Sequence, residues 1–313
     1  MSLEPVIVIG GPTASGKSGL ALGIADSVGG EIVNADSMQV YRHLRIVTPR
    51  PDARDEARVP HHLYGTLGLG ERCSAGAWRD SALQAIAACH EASTVPILVG
   101  GTGLYLRALM IGFHRMPAVP QEIRDRLNER LRRQGPGVLH GELGAVDPDT
   151  AHRLNPADGQ RIVRALEIFQ HTGKPLSDWQ SGQTDSAPEG LRFLKIVTAP
   201  PREELYSVID DRFDWMIGAG AVEEVEALLD AGPADDFPPL KAVGVPPIRA
   251  FIGGEIGRER MSELGKRDTR RYAKRQGTWF RHQIIPEITV QTKYSKKTND
   301  QIFPEISDFL LTP

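Results

Sequence analysis

The sequence predicts an α/β fold, a parallel β-sheet flanked by helices, with a helical insertion. Three observations carry that reading. The β-branched run "VIVI" (residues 6–9) passes through a glycine-rich turn into a helix-patterned stretch. Further apolar runs recur, each followed by helical spacing, and this alternation implies right-handed βαβ units. From about Phe113 to Gly190 no convincing buried strand appears, only charged amphipathic segments. The expected division is a core of residues 1–113 and 191–313 interrupted by a helical domain over 114–190.

Taken in order, residues 6–9 read as a buried parallel strand, because both of its faces must be apolar. "GKSGLALGIADSVG" has helical spacing and stops at Gly29-Gly30. "EIVNADS" (31–37) is a second strand ending in polar residues, and "AGAWRDSALQAIAACHEAS" (75–93) an amphipathic helix. "VPILVGG" (95–101) is a third strand leading into the helix "TGLYLRALMIG". Within the insertion, "PQEIRDRLNERLRRQG" and "GQRIVRALEIFQHTG" are helices. "RFLKIVTAP" (192–200) resumes the sheet. The stretch from Arg202 to Gly232 is one long helix or two, residues 265–282 form a basic helix, "QIIPEITV" is a late strand and "TNDQIFPEISDFLL" a closing helix.

Composition limits the classes of function. The chain has 313 residues, 40% of them hydrophobic and 25% charged, as in a globular protein with a sizeable core. No apolar run approaches the ~20 residues that span a bilayer, and the N-terminus lacks the pattern of a signal peptide. No membrane contact and a cytoplasmic location are therefore expected. Cys73 and Cys89 have no metal-site spacing and read as plain thiols. A net charge of −3 means that any nucleic-acid binding must come from a local patch. The candidate is 265–282, where Lys266, Arg267, Arg270, Arg271, Lys274, Arg275 and Arg281 face a single acid, Asp268, and continue into Trp279 and Phe280. A solvated helix face would explain the charges. The aromatic neighbours favour a polyanion with bases to stack.

The strongest motif is Gly11-Pro12-Thr13-Ala14-Ser15-Gly16-Lys17-Ser18, a match to G-x4-G-K-[ST] placed between strand and helix. This gives the core its P-loop NTPase-like character. Backbone N–H groups turn inward around phosphate oxygens, the helix N-terminus adds positive potential, Lys17 supplies a charge and Ser18 a hydroxyl for Mg2+. Asp36, ending the second strand, belongs in the crevice where open α/β sheets hold ligands. It could help hold Mg2+, act as a base, or only close an Asx turn. Gly100-Gly101-Thr102-Gly103 is a second glycine-rich turn that could reach a phosphate or a base, though a tight turn explains it equally. No apolar strand ends in the acid pair that a nucleotide-hydrolysing switch needs.

"GPTASGKS", "NADSMQVYRHL", "PHHL", "VGGTGLYLRAL", "NPADGQRIVRALEI" and "RRYAKRQGTWFR", in this order across residues 6–282, closely resemble the bacterial tRNA dimethylallyltransferase family. The resemblance implies transfer of a dimethylallyl group from dimethylallyl diphosphate to the exocyclic amine of the adenosine 3′ of the tRNA anticodon. Diphosphate leaves, so no hydrolytic acid is needed. By resemblance, Thr13, Gly16, Lys17 and Ser18 bind diphosphate and Mg2+, Asp36 is the general base, and Arg212 in "DDRFDWM" lies on the diphosphate. The implied tRNA contacts are Asp36, Ser37, Met38, Gln39, Thr102, Arg124, Gln160, Arg161, Ile162, Val163, Arg164, Lys241, Lys274 and Arg275. The insertion would embrace the anticodon stem-loop, with the target nucleotide flipped out of its stack. A monomer is expected.

Three stretches depart from the family pattern. In "KAVGVPPI", Val245 and Pro246 replace an aromatic and a basic residue. An acid is missing after "PHHL", and "IVTPRP" stands where "IGTAKP" is usual. These bear on RNA grip and leave the diphosphate loop intact. The rival readings are an adenylate isopentenyltransferase, a P-loop small-molecule kinase and a non-catalytic RNA-binding protein. The insertion, the basic-aromatic helix and the intact Lys17, Ser18 and Asp36 weigh against them respectively.

Overall fold

A computed structural model describes residues 3–114, 116–182, 186–292 and 295–312. The chain forms two compact units, one of Met1–Met110 with Pro188–Pro313 and one of Ile111–Ala187.

In the first unit the elements are β1 (Glu4–Gly10), α1 (Lys17–Val28), β2 (Gly30–Asn34), α2 (Ala53–Arg58), β3 (His61–His62), α3 (Ala75–Glu91), β4 (Val95–Gly100) and α4 (Gly103–Met110). The second unit holds α5 (Gln121–Gln134), α6 (Pro136–Val146), α7 (Pro148–Arg153), α8 (Gly159–Thr172) and α9 (Leu176–Gln180). The first then resumes with β5 (Leu191–Thr198), α10 (Arg202–Gly218), α11 (Ala221–Asp230), a 3-10 turn (Pro238–Lys241), α12 (Val245–Ile252), α13 (Arg258–Gln283), β6 (Ile288–Val290) and α14 (Lys296–Leu311).

The six strands form one parallel sheet in the order β3-β2-β4-β1-β5-β6. Both faces are covered, which is why the strands read as unbroken apolar runs. Side chains alternate across a strand, so β1 sends Val6 and Val8 into one core cluster and Ile7 and Ile9 into the other. β2 and β4 split the same way, with Val33 and Leu98 on the first face and Ile32, Ile97 and Val99 on the second. The helical unit has its own core of Leu127, Leu139, Leu143, Ile162 and Leu166, brought together by α5, α6 and α8.

Several boundaries differ from the sequence reading. β2 ends at Asn34, so Asp36 lies on the loop beyond it. The long 202–232 segment breaks into two helices at Gly220, whose φ of 103° is the left-handed geometry that glycine tolerates. The basic segment is the larger, C-terminal part of a 26-residue helix, α13. Of "QIIPEITV" only Ile288–Val290 forms a strand: Gln283 still belongs to α13, Ile284 caps it, and Pro286 has no N–H for the ladder. The short α2 and β3, and α12 with its two prolines in the first turn, have no strong periodic signal and were not foreseen.

Candidate active site

Residues 11–16 join β1 to α1, whose first residues are Lys17 and Ser18, at the carboxyl end of the sheet, beside the central strand where the chain switches sides. The loop contains a strained residue: Ala14 has φ 66°, a left-handed value costly for a residue with a Cβ. The loop is held from several directions. Ser15 Oγ donates to Pro12 O (2.8 Å) and pairs with Thr198 Oγ1 (2.5 Å) at the end of β5. Arg212 from α10 donates to Thr13 Oγ1 (2.7 Å), and Gln276 Oε1 from α13 accepts from Thr13 N (2.8 Å). Lys17 Nζ donates to Pro12 O (2.7 Å).

A cleft of about 600 Å3 opens over this loop. Its walls include Thr13 to Ser18, Asp36 to Gln39, Lys241 and Arg212. It thus gathers residues that are far apart in the sequence of the first unit. Thr48, Tyr64, Thr269 and Tyr272 join them; Thr48 and Tyr272 lie within quoted family stretches and Thr269 within the basic segment, but none had been assigned a role.

Asp36 is fixed by its neighbours. Asn34 Oδ1 accepts from Asp36 N (2.8 Å) and Asn34 Nδ2 donates to Asp36 O (3.1 Å). Asp36 Oδ1 accepts from Met38 N (2.9 Å), so the Asx turn does form. It engages one carboxylate oxygen and leaves Oδ2 without a partner among the described residues. Thr102 Oγ1 accepts from Ser37 N (2.9 Å) and donates to Ser37 Oγ (3.2 Å), so the second glycine-rich turn is docked beside Asp36. Gln39 Nε2 donates to the carbonyls of Thr48 (2.6 Å) and Pro49 (3.0 Å), holding the next loop.

Two cations meet Asp36 electrostatically in this cleft. Burial pushes the Lys17 ammonium down to about 8; Asp36 opposes the shift and Arg212 adds to it. Burial also lowers Arg212 to about 10, again opposed by Asp36. Burial and then the Asp36 charge raise Tyr64 and Tyr272, so both phenols stay neutral donors. The arrangement is an anion cradle with one carboxylate in its wall.

The other expected contacts fall elsewhere. In the helical unit Arg124 Nε and Arg164 Nη1 both bond the buried Glu167, each at 3.1 Å. Gln160 and Arg161 are exposed at the start of α8, whereas Ile162 and Val163 are buried in the core of that unit. The side chains of Ile162 and Val163 cannot face RNA: helical periodicity turns them inward. The basic run also narrows. Lys266 pairs with Asp214 (2.7 Å) and Arg270 with Asp210 (2.6 Å) of α10, while Arg267 and Arg271 sit against Asp268. Lys274 and Arg275 stay exposed, the latter 5.7 Å from the Tyr272 ring.

Glu31, His62 and Cys89 form the one cluster of metal-type donors among the described residues. It satisfies itself: His62 Nε2 lies 2.5 Å from Glu31 Oε2, and Thr94 Oγ1 and Cys89 Sγ both donate to Glu31. Burial and Glu31 push the Cys89 thiol up to about 11, so it remains a protonated donor.

Residues 39–283 match the IPP transferase family. The chain belongs to that family. Its relatives include the tRNA dimethylallyltransferase of Rhodospirillum centenum, 50% identical over 281 residues and 90% of each chain. The enzyme of that name from Parvibaculum lavamentivorans is 43% identical over 99% of each chain. Among solved structures, the full-length tRNA isopentenylpyrophosphate transferase of Bacillus halodurans superposes with a TM-score of 0.68 at 32% identity, covering 98% of this chain and 97% of that one. A eukaryotic dimethylallyltransferase acting on tRNA gives 0.75 at 27% identity over 97% of this chain and 77% of its own. The IPP transferase match begins after Lys17 and Asp36, but the near full-length match to the Parvibaculum chain spans both. No helix among the described residues is long and apolar enough to cross a membrane.

Proposed function

We propose that this IPP transferase moves a dimethylallyl group from dimethylallyl diphosphate to the exocyclic amine of the adenosine 3′ of a tRNA anticodon. The observation that carries it is the pairing, in one cleft, of a phosphate loop with Asp36 and Arg212. The amine nitrogen attacks the allylic carbon, the carbon–oxygen bond breaks, diphosphate leaves with the bond electrons, and the amine proton passes to the Asp36 carboxylate. An adenine amine is a poor nucleophile, which gives a base within reach a purpose. Asp36 Oδ2 is the oxygen left for that task. Lys17, Arg212 and the Thr13 and Ser18 hydroxyls stabilise the charge growing on the departing oxygens.

The cleft's hydroxyl and carboxylate oxygens, Thr13, Ser18 and Asp36, suit a hard cation such as Mg2+, unlike the Glu31–His62–Cys89 set. When bound, Mg2+ would neutralise diphosphate charge. Ser18 is the residue that would hold it. Lys274, Arg275, Lys241, Gln160 and Arg161 are the exposed or cleft-lining groups that would meet RNA, with Arg124 and Arg164 held ready by Glu167. The reading takes the active unit to be a monomer and to work in the cytoplasm.

Mass analysis of bulk tRNA after incubation with dimethylallyl diphosphate and Mg2+ should show one added dimethylallyl group. Tests with an anticodon stem-loop and with AMP as acceptors decide between RNA and free nucleotide; a far better reaction with AMP would sink the tRNA reading. Lys274→Ala or Arg275→Ala should weaken tRNA binding and lower its log–log salt slope by ~1 if each neutralises a phosphate. An unchanged slope would give them a structural role.

The lowered Lys17 pKa sets a pH limb. The charged ammonium is the useful form, and it is lost as pH rises through about 8. kcat/KM for the donor, which reports the free enzyme, should therefore fall above that pH. In Lys17→Arg, charged throughout, whatever activity remains should lack the limb. An identical limb in that variant would assign it to another group.

A further inference from the structure

We propose that Gln276 is a positioning residue that sets the phosphate cradle against the acceptor carboxylate. The inference rests on the transfer reading above and adds to it the part that holds donor and acceptor in register.

Gln276 is 6% exposed, and both ends of its amide are used. Oε1 accepts from Thr13 N at 2.8 Å, and Nε2 donates to Gly101 O at 2.9 Å. One side chain of α13 therefore bridges the loop after β1 and the loop after β4. From Gly101 the link continues: Thr102 bonds both the N–H and hydroxyl of Ser37, which follows Asp36. Thr13, Gln276, Gly101, Thr102, Ser37 and Asp36 form one connected series between the cradle and the carboxylate.

The backbone has been shaped to admit this helix. A Cβ on Gly101 would lie 2.2 Å from Gln276 Nε2, and one on Gly103 would lie 2.2 Å from the Trp279 ring, three residues along the same helix. The close approach also decides what Thr13 can offer a ligand. Its N–H is engaged by Gln276, so its hydroxyl, held by Arg212, is the group turned to that use. The glutamine amide carries an acceptor and a donor on one planar head at this reach. Glutamate keeps the acceptor and loses the donor; leucine loses both.

The test compares wild-type protein with Gln276→Leu and Gln276→Glu. Readouts are kcat and KM for dimethylallyl diphosphate and tRNA, thermal melting, and hydrogen exchange at the Thr13 amide without substrate. Gln276→Leu should lower kcat by ~10-fold or more, the scale on which small misplacements act. The KM for each substrate should stay within about threefold, and Thr13 exchange should quicken. Gln276→Glu should retain slow exchange at Thr13 and still lose kcat, because its carboxylate faces the Gly101 carbonyl. It carries the same comparison if the leucine variant does not fold. A kcat within twofold of wild type in both variants overturns the proposal. So does unchanged Thr13 exchange in Gln276→Leu, or a loss of activity that only follows the loss of folded protein. If instead wild-type protein transfers no prenyl group to tRNA, the reaction assignment fails, and the exchange result still decides the bridge.

Discussion

Asp36→Ala should lower the transfer rate by ~10²-fold or more, the usual scale for a general base, while tRNA binding stays within a few-fold. Two functions of this carboxylate must be separated. Oδ1 closes the Asx turn onto Met38 N, so alanine removes a structural tie as well as a base. Asn34 and the Thr102–Ser37 pair still hold the loop backbone, which limits the collapse. Asp36→Asn is the decisive companion. It can keep an oxygen on Met38 N and cannot take the proton. Similar losses in both variants place the effect on the base; near-normal turnover by Asp36→Asn leaves only the turn. Removing the charge also isolates Lys17 and Arg212 from the carboxylate that favours their charged forms. In either variant the alkaline limb of kcat/KM should therefore move to lower pH, which pH–rate profiles would show.

Gly100→Ala should destabilise the protein by about 1–3 kcal/mol, the range for forced overpacking. β4 ends there against the chain that leads to Asp36. A Cβ at residue 100 would stand 2.0 Å from Ala35 O and 2.2 Å from Ala35 C. The obstacle is backbone and cannot rotate aside. It is also tied into the sheet, because Ala35 N donates to Val99 O (2.8 Å) and Ala35 O accepts from Thr102 N (3.2 Å). Relief must come from parting the ends of β2 and β4, which carries Asp36 with it. Thermal unfolding should show a lowered Tm, with kcat falling further than donor affinity. A melting point equal to wild type would refute the clash.

Much of this was legible in the chain because local chemistry demanded it. The strands β1 and β4 are apolar on both faces and end in glycines, which only a covered parallel strand feeding a tight turn explains. The phosphate loop announced itself for the same reason: its glycines, lysine and serine have one common use. What stayed hidden depends on distant partners. Gln276 lies 263 residues from Thr13, and nothing in its own neighbourhood marks it as a bridge. The basic run looked more uniform than it is, since the acids that neutralise Lys266 and Arg270 are on α10. Ile162 and Val163 entered the expected RNA contacts as members of a motif, and their burial shows a contiguous motif mixing core with surface.

The place of β5 in the sheet has a consequence for how the chain is made. β1 pairs with β4 on one side and with β5 on the other, yet β5 is synthesised only after the whole helical unit. As the nascent chain emerges, β1, β2 and β4 can assemble while one flank of β1 stays unpaired. An unpaired, apolar flank is a template for wrong partners until its own arrives. The helical unit, with a core of its own, can fold during that wait. Elongation speed through residues 111–187 should thus govern how much of this enzyme reaches its native state, an effect invisible once the sheet has closed.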